Sequence, residues 1–321
     1  MIARKAGIND QREAFLLEIL GLDLPGAVVV ERTNGDGPDS EETPAVEAAP
    51  PQAPARLKFS LAGVQLKFSV LREGTRLNLP FSGQGGRWIV KCPDALHPSL
   101  PANELSMLRW ARHSGIEVPD HDMVPMSELD GLPKGIVFPE REGLAVRRID
   151  RTDIARIHQE DFAQVLGLFP SDRYDAYNYE TIGNVIRAVV GPDAFLEFAR
   201  RLAFMVLSGN GDAHHKNWSL LYPDGIKAAL SPAYDLVFTR AYDSNDDLAL
   251  NFGGSKKFSD VTIGTFRRLA RKSQFDEVVL ANAVSEAAAT IRRAWEEIKA
   301  DLPLAPEAKV RLSRHLSSVH F

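Results

Sequence analysis

The stretch Gly209-Asn-Gly-Asp-Ala-His-His-Lys-Asn217, followed by Pro232-Ala-Tyr-Asp235, constrains this chain more than any other feature. It supplies an Asp at 212, an Asn five residues on and a second Asp at 235. A phosphotransferase needs such a set. One carboxylate orients or deprotonates the attacking hydroxyl, while the Asn and the second Asp hold Mg²⁺ against the phosphates of ATP. Mg²⁺ takes hard oxygen ligands, usually one or two carboxylates plus phosphate oxygens, and this set can provide them. Asn-Gly-Asp is also turn chemistry, so a polar turn between two apolar strands is the competing reading. Other parts of an ATP site, in the right order upstream, favour the first.

Lys91 ends a run of strong β formers, Trp88-Ile-Val90, just before Pro93. A lysine on an inner strand can reach ATP phosphates as a point charge. Glu104 falls in the first turn of a helix over Ala102–His113, with Asn103 as its cap, and is placed to pair with Lys91. Phe59-Ser-Leu-Ala-Gly-Val-Gln-Leu-Lys-Phe-Ser-Val70 reads as a loop or hairpin around Gly63. Its small residues would let backbone N–H groups approach phosphate. Leu144–Val146 reads as a strand running into the charged segment Arg147-Arg-Ile-Asp-Arg151, a junction between lobes where adenine would meet backbone. Each has an ordinary alternative: a solvated strand-end lysine, a carboxylate complementing a helix dipole, a strand ending in exposed arginines.

Together these segments resemble the HipA family of serine/threonine kinases, toxins of bacterial toxin–antitoxin modules. The resemblance runs from about Ser60 to Asp235. It rests on Ser60-Leu-Ala-Gly-Val-Gln-Leu-Lys67, Ile89-Val-Lys91, Asn103-Glu104, Leu144–Arg151, Gln159-Glu-Asp161, Gly211–Trp218 and Pro232–Asp235. It implies an α+β, bilobal protein-kinase-like fold, with a β-rich small lobe and a mainly helical large lobe. It implies ATP and Mg²⁺ as cofactors, Asp212 as the catalytic carboxylate, and Asn217 and Asp235 as metal ligands. Lys91 matches the ATP-phosphate lysine, with Glu104 its partner. Ser60, Gly63 and Val64 match the phosphate loop, and Ser60 the autophosphorylated serine. Arg147 and Ile149 match the positions whose backbone meets adenine. His214 and Lys216 lie close enough to order the loop or touch a phosphate. The implied partners are a helix-turn-helix antitoxin (HipB-like) that carries most of the DNA affinity, and a protein substrate, an aminoacyl-tRNA synthetase in known family members.

Longer family members carry a complete subdomain ahead of the phosphate loop. Here residues 1–32 offer only a short helix over Gln11–Leu20 and a strand over Leu24–Val30. Some relatives place the missing portion on a separate small protein, so the resemblance leaves two readings open: a third component as a further partner, or a simply shortened family member. Residues 33–55 are rich in Pro, Glu, Asp and Ala and read as a disordered linker. Residues 56–150 would form the small lobe and 151–321 the helical lobe, with helices over Asp161–Leu168, Ala194–Leu207, Val278–Lys299 and Glu307–Val319.

A net charge of −5 argues against strong DNA binding by this chain alone. The arginines at 267, 268, 271, 292 and 293 are read as solvated helix faces. One cysteine, Cys92, excludes an internal disulfide and fits a reducing compartment; it is read as a small buried apolar residue rather than a nucleotide-site group. No signal peptide or membrane-length apolar run is evident, so a cytoplasmic location is expected. Two other function classes stay open: a small-molecule phosphotransferase with the same Asp…Asn…Asp logic, and a non-catalytic subunit of an antitoxin–DNA complex.

Overall fold

The computed structural model describes residues 21–31, 66–74, 76–79, 85–132, 136–169 and 176–321. The smaller lobe is a six-stranded sheet in the order β4-β6-β3-β1-β2-β5. Its strands are β1 (Lys67–Glu73), β2 (Arg76–Asn78), β3 (Trp88–Lys91), β4 (His121–Pro125), β5 (Leu129–Asp130) and β6 (Glu142–Arg147). Strand β3 runs antiparallel to both β1 and β6, pairing Phe68 with Val90 and Val90 with Ala145. These three side chains, with Val70, Leu77, Val124 and Met126, form the small-lobe core. Cys92 belongs to that core, and burial pushes its thiol up to about 12.

Helix α1 (Leu100–His113) starts after Ser99, with a proline at its beginning, where a missing N–H costs nothing. Asn103 is therefore inside the helix and does not cap it, and Glu104 lies beyond the first turn. The packing of α1 bridges the lobes, against β4 and β6 on one side and the large-lobe helices on the other. Trp110 stacks at 4.9 Å from both Phe204 and Trp295, and its indole N–H donates to the Ile291 carbonyl at 2.9 Å.

The large lobe contains α2 (Phe162–Val165), α3 (Tyr179–Val189), α4 (Pro192–Leu207), α5 (Ile263–Lys272), α6 (Glu277–Ile298) and α7 (Pro306–Ser318). A second sheet pairs β7 (His158–Asp161), β8 (Ser219–Tyr222) and β9 (Ala229–Leu230). Ten residues of α4 are buried, which makes it the axis of this lobe. The helix expected over 161–168 is only the four residues of α2, because Asp161 ends a strand and caps the helix through Gln164. Helix α3 has no counterpart in the sequence reading, and α5 entered it only as the helix face carrying the arginines at 267, 268 and 271.

The strand expected over Leu24–Val30 is absent: a 3-10 turn over Gly21–Asp23 leads into turn and irregular backbone, with Val28 and Val29 exposed. The helix expected over 11–20 and the linker lie outside the described residues. On α5 the arginines at 267, 268 and 271 are exposed as expected, but Arg292 is not a solvated group. It donates to the carbonyls of Leu316 and Val319 at 2.6 and 2.5 Å, satisfying the end of α7. Among the described residues no helix is long and apolar enough to cross a membrane.

Candidate active site

A cleft of about 380 Å³ lies between the lobes. Its lining includes the apolar groups Ile89, Val146 and Ile149 and the polar groups Lys67, Lys91, Asn217 and Asp235. Lys91 stands at the end of β3, where Pro93 stops the strand, and its ammonium touches the carboxylates of both Glu104 and Asp235. Lys67 is its cross-strand neighbour on β1, and its Nζ lies 3.8 Å from Asp235 Oδ2. Two ammoniums side by side on one sheet repel. The two carboxylates offset that repulsion and tie the small-lobe sheet to α1 and to the large lobe. Burial acts against the charged forms, but the carboxylates beside Lys91 outweigh it and raise its pKa. Burial lowers the Lys67 pKa despite Asp235. At Asp235 burial pushes upward, but Lys67 and Lys91 prevail and hold the carboxyl well below the usual range.

Asp235 adopts φ 53°, a left-handed conformation that non-glycine residues reach at a cost of roughly 1–2 kcal/mol. Its neighbours fix that geometry. The Tyr234 hydroxyl meets Ser219 Oγ at 2.5 Å and donates to the Lys216 carbonyl at 3.0 Å. Asn103 grips the other side: its amide accepts from Phe238 N at 2.9 Å and donates to Phe238 O at 3.0 Å. Adjacent residues of α1 thus hold the lysine and the backbone that carries Asp235.

The loop with Asp212 begins where α4 ends. Gly209 takes φ 62°, and a Cβ there would press on Phe238 and His315 at 3.1–3.2 Å. Asn210 accepts from the Asp212 N–H at 3.0 Å. The Asp212 carbonyl accepts from His214 N at 2.7 Å and from Asn217 Nδ2 at 2.7 Å. That last bond orients the Asn217 side chain, with its oxygen as the remaining acceptor. The Asp212 side chain is 53% exposed, at a place an acceptor hydroxyl can approach from solvent. His214 Nε2 lies 3.8 Å from Asp212 Oδ1.

The donor set is one amide oxygen and one carboxylate, Asn217 and Asp235. That is too few for a resident protein-only metal, and no group of three or more His, Cys, Asp or Glu able to hold one exists among the described residues. It fits Mg²⁺ arriving with nucleotide, whose phosphate oxygens complete the shell. Bound there, Mg²⁺ would neutralise phosphate charge as the transferred group departs.

Lys91, Arg147, Ile149, Lys216, Asn217 and Asp235 all line the cleft, with Glu104 behind Lys91. The Arg147 N–H donates to the Asp120 carbonyl at 2.8 Å. Asp212 and His214 stand in the loop beside the cleft. Ser60, Gly63 and Val64 lie outside the described residues. Cys92 does not line the cleft. Residue reasoning missed Lys67, Tyr234 and Asn103 as site groups. The alternation of β1 was a usable signal for Lys67, since it places 67 opposite 91; nothing in the sequence points to the Asn103 contact.

A β-rich lobe and a helical lobe that close on a cleft with a buried lysine–carboxylate pair constitute the protein-kinase-like fold. The chain belongs to the family of HipA-like C-terminal domains, whose model matches residues 59–297. It is 41% identical over 322 residues to the protein named Putative kinase Y4dM of Sinorhizobium fredii, covering 99% of this chain and 78% of that one. It is 27% identical over 272 residues to the serine/threonine-protein kinase toxin HipA of Shewanella oneidensis, covering 74% of this chain and 59% of that one. The solved structure of the Shewanella oneidensis HipA, HipB and operator DNA complex matches with a TM-score of 0.73 at 21% identity, covering 97% of this chain and 78% of that chain. At that identity the likeness establishes the fold.

Proposed function

We propose that this chain is an ATP-dependent protein serine/threonine kinase acting as the toxin of a toxin–antitoxin module. The observation that carries the reading is Lys91 joined to both Glu104 and Asp235 in a cleft shared with Asn217. In this reading Lys91 holds ATP phosphates, and Asn217 and Asp235 hold Mg²⁺. Asp212 orients the acceptor hydroxyl and takes its proton. The interlobe backbone at Arg147–Ile149 receives adenine. Ser60, with Gly63 and Val64, covers the phosphates, and phosphorylation of Ser60 adds close to two negative charges that repel ATP. Lys216 lines the same cleft and offers a further positive charge.

The relatives extend the reading. The Shewanella structure contains HipB and operator DNA, which supports a helix-turn-helix antitoxin as partner, with DNA held mainly through it. An aminoacyl-tRNA synthetase as substrate, in the cytoplasm, follows from the family resemblance. Purified protein incubated with radiolabelled ATP and Mg²⁺ should label itself on Ser60, and Asp212→Gln should not. Phosphoproteomics after brief induction should show a synthetase among the first phosphorylated proteins. Undiminished labelling by the Asp212 variant would sink the assignment.

A further inference from the structure

Residues Gly21–Gly26 lie across the segment that joins the lobes, and they are held there by an unusual number of buried bonds. Arg148 Nη1 donates to Asp23 Oδ1 at 2.6 Å. Arg151 donates to the carbonyls of Leu24 and Gly26 at 2.9 and 2.8 Å, and Arg156 to that of Leu22 at 2.7 Å. The Gly26 N–H in turn donates to Asp150 Oδ2 at 2.7 Å. Asp23 is 7% exposed and lies so close to Gly85 that a Cβ on that glycine would meet Asp23 Oδ1 at 1.7 Å. Gly26, at φ 75°, packs onto the β7 backbone, where a Cβ would meet Gln159 N at 2.9 Å. The segment therefore contacts both lobes.

Between its anchored neighbours Leu24 and Gly26, Pro25 lines the cleft together with Val146, Ile149 and Ile89. Arg148, Arg151, Asp23 and Asp150 are buried and Arg156 is half-buried, a cost that the bonds among them offset. Such a network fixes position. What it fixes here is a proline in the wall of the cleft and the course of the interlobe backbone.

We infer that Gly21–Gly26 is a working wall of the nucleotide site, with Pro25 packing against the base and Asp23 a positioning residue that acts through Arg148 and Arg151. This rests on the kinase reading. It extends the site upstream of residue 59, where the family match begins.

The test uses the full chain with Asp23→Asn and, separately, Pro25→Gly. Affinity is read by titrating N-methylanthraniloyl-ATP with Mg²⁺ present, alongside turnover at saturating ATP and the melting temperature. For Pro25→Gly the expected weakening is about threefold, the scale of losing a few tens of Å² of apolar contact. For Asp23→Asn it is roughly tenfold, with turnover at saturation within about twofold of wild type. A strap that is only structural would lower the melting temperature and the active fraction and leave nucleotide affinity unchanged, and that result would overturn the inference. Should Asp23→Asn fail to fold, Pro25→Gly decides alone, since Pro25 is half-buried and outside the ion network. Wild-type protein that binds no ATP would instead overturn the kinase reading itself.

Discussion

Two buried clusters, each of two cations and two carboxylates, hold this molecule together, and they are built from different residues. At the interlobe segment Arg148 and Arg151 meet Asp23 and Asp150, with all four side chains at most 5% exposed. In the cleft Lys67 and Lys91 meet Glu104 and Asp235, and the Asp235 side chain is 29% exposed. Guanidinium presents a rigid planar fork that meets carboxylates in fixed directions, although Asp23 Oδ2 stays buried without a hydrogen-bond partner; an ammonium is a compact, mobile point charge. The first cluster is closed and directs its donors at fixed backbone oxygens as well. The second opens on a cavity and leaves charge that can be redirected to an incoming phosphate. Equal charge counts thus serve fixation in one place and exchange in the other.

The largest expected effect lies in the cleft. Lys91→Met or Asp235→Asn should lower phosphotransfer by about a thousandfold or more in a radiolabel assay, because positioned charge supplies most of the catalysis of this reaction. The same Lys91→Met should cost only about 1 kcal/mol of stability, since Asp235 can hydrate and Glu104 can take up a proton. Arg148→Leu should show the reverse weighting in stability. It leaves Arg151 as the one remaining guanidinium for the two buried carboxylates of Asp23 and Asp150 and should cost roughly 3–5 kcal/mol in denaturant unfolding. If both variants cost the same, the distinction between the clusters breaks.

Acid should blur the contrast. Burial opposes ionisation of Asp150, but Arg148 and Arg151 hold its carboxyl below the usual range, as Lys67 and Lys91 do for Asp235. A depressed folded pKa means that the unfolded chain binds the proton first. The stability from each group is therefore complete above about pH 4 and is lost as pH falls through the folded value. Asp150→Asn and Asp235→Asn should each be less stable than wild type at neutral pH, and the gap should close below about pH 4 in denaturant midpoints. A gap that widens on acidification would contradict the assigned charges. The smallest effect concerns Cys92, which is buried beside Lys91 but outside the cleft. Its thiol should resist iodoacetamide in the native protein at about pH 8, whether or not ATP is present, and mass spectrometry would detect any adduct.

The same comparison marks what the sequence could reveal. The cleft cluster was legible in part, because Lys91 ends an obvious β run and Glu104 lies near the start of the next helix within reach of it, whereas Lys67 was missed. Helices α4, α6 and α7 were legible from apolar periodicity to within two residues or so. The interlobe cluster was not. The segment with Arg148 and Arg151 reads as an interlobe junction, with exposed strand-end arginines as the alternative, and neither reading foresees the buried network, since Arg148's partner Asp23 is 125 residues away. Val28-Val-Val30 looked like a strand because β-branched residues favour strands, yet the backbone there follows the turn and bonds that hold residues 21–26. Asn103 looked like a cap because asparagine commonly caps, whereas Ser99 and Pro101 set the true start of α1.

The seating of Trp110 against Phe204 and Trp295 bears on how such a site could be switched. Swinging α1 outward would return a tryptophan, some 200 Å² of mostly apolar surface, to water, at about 5 kcal/mol. The displaced form would then be populated by only about one molecule in several thousand. Glu104 and Asn103 ride on that helix, so the grip on Lys91 and on the Asp235 backbone should be permanently assembled rather than toggled. Any off-state of this protein is therefore expected to leave α1 in place and to act on nucleotide entry or acceptor access instead.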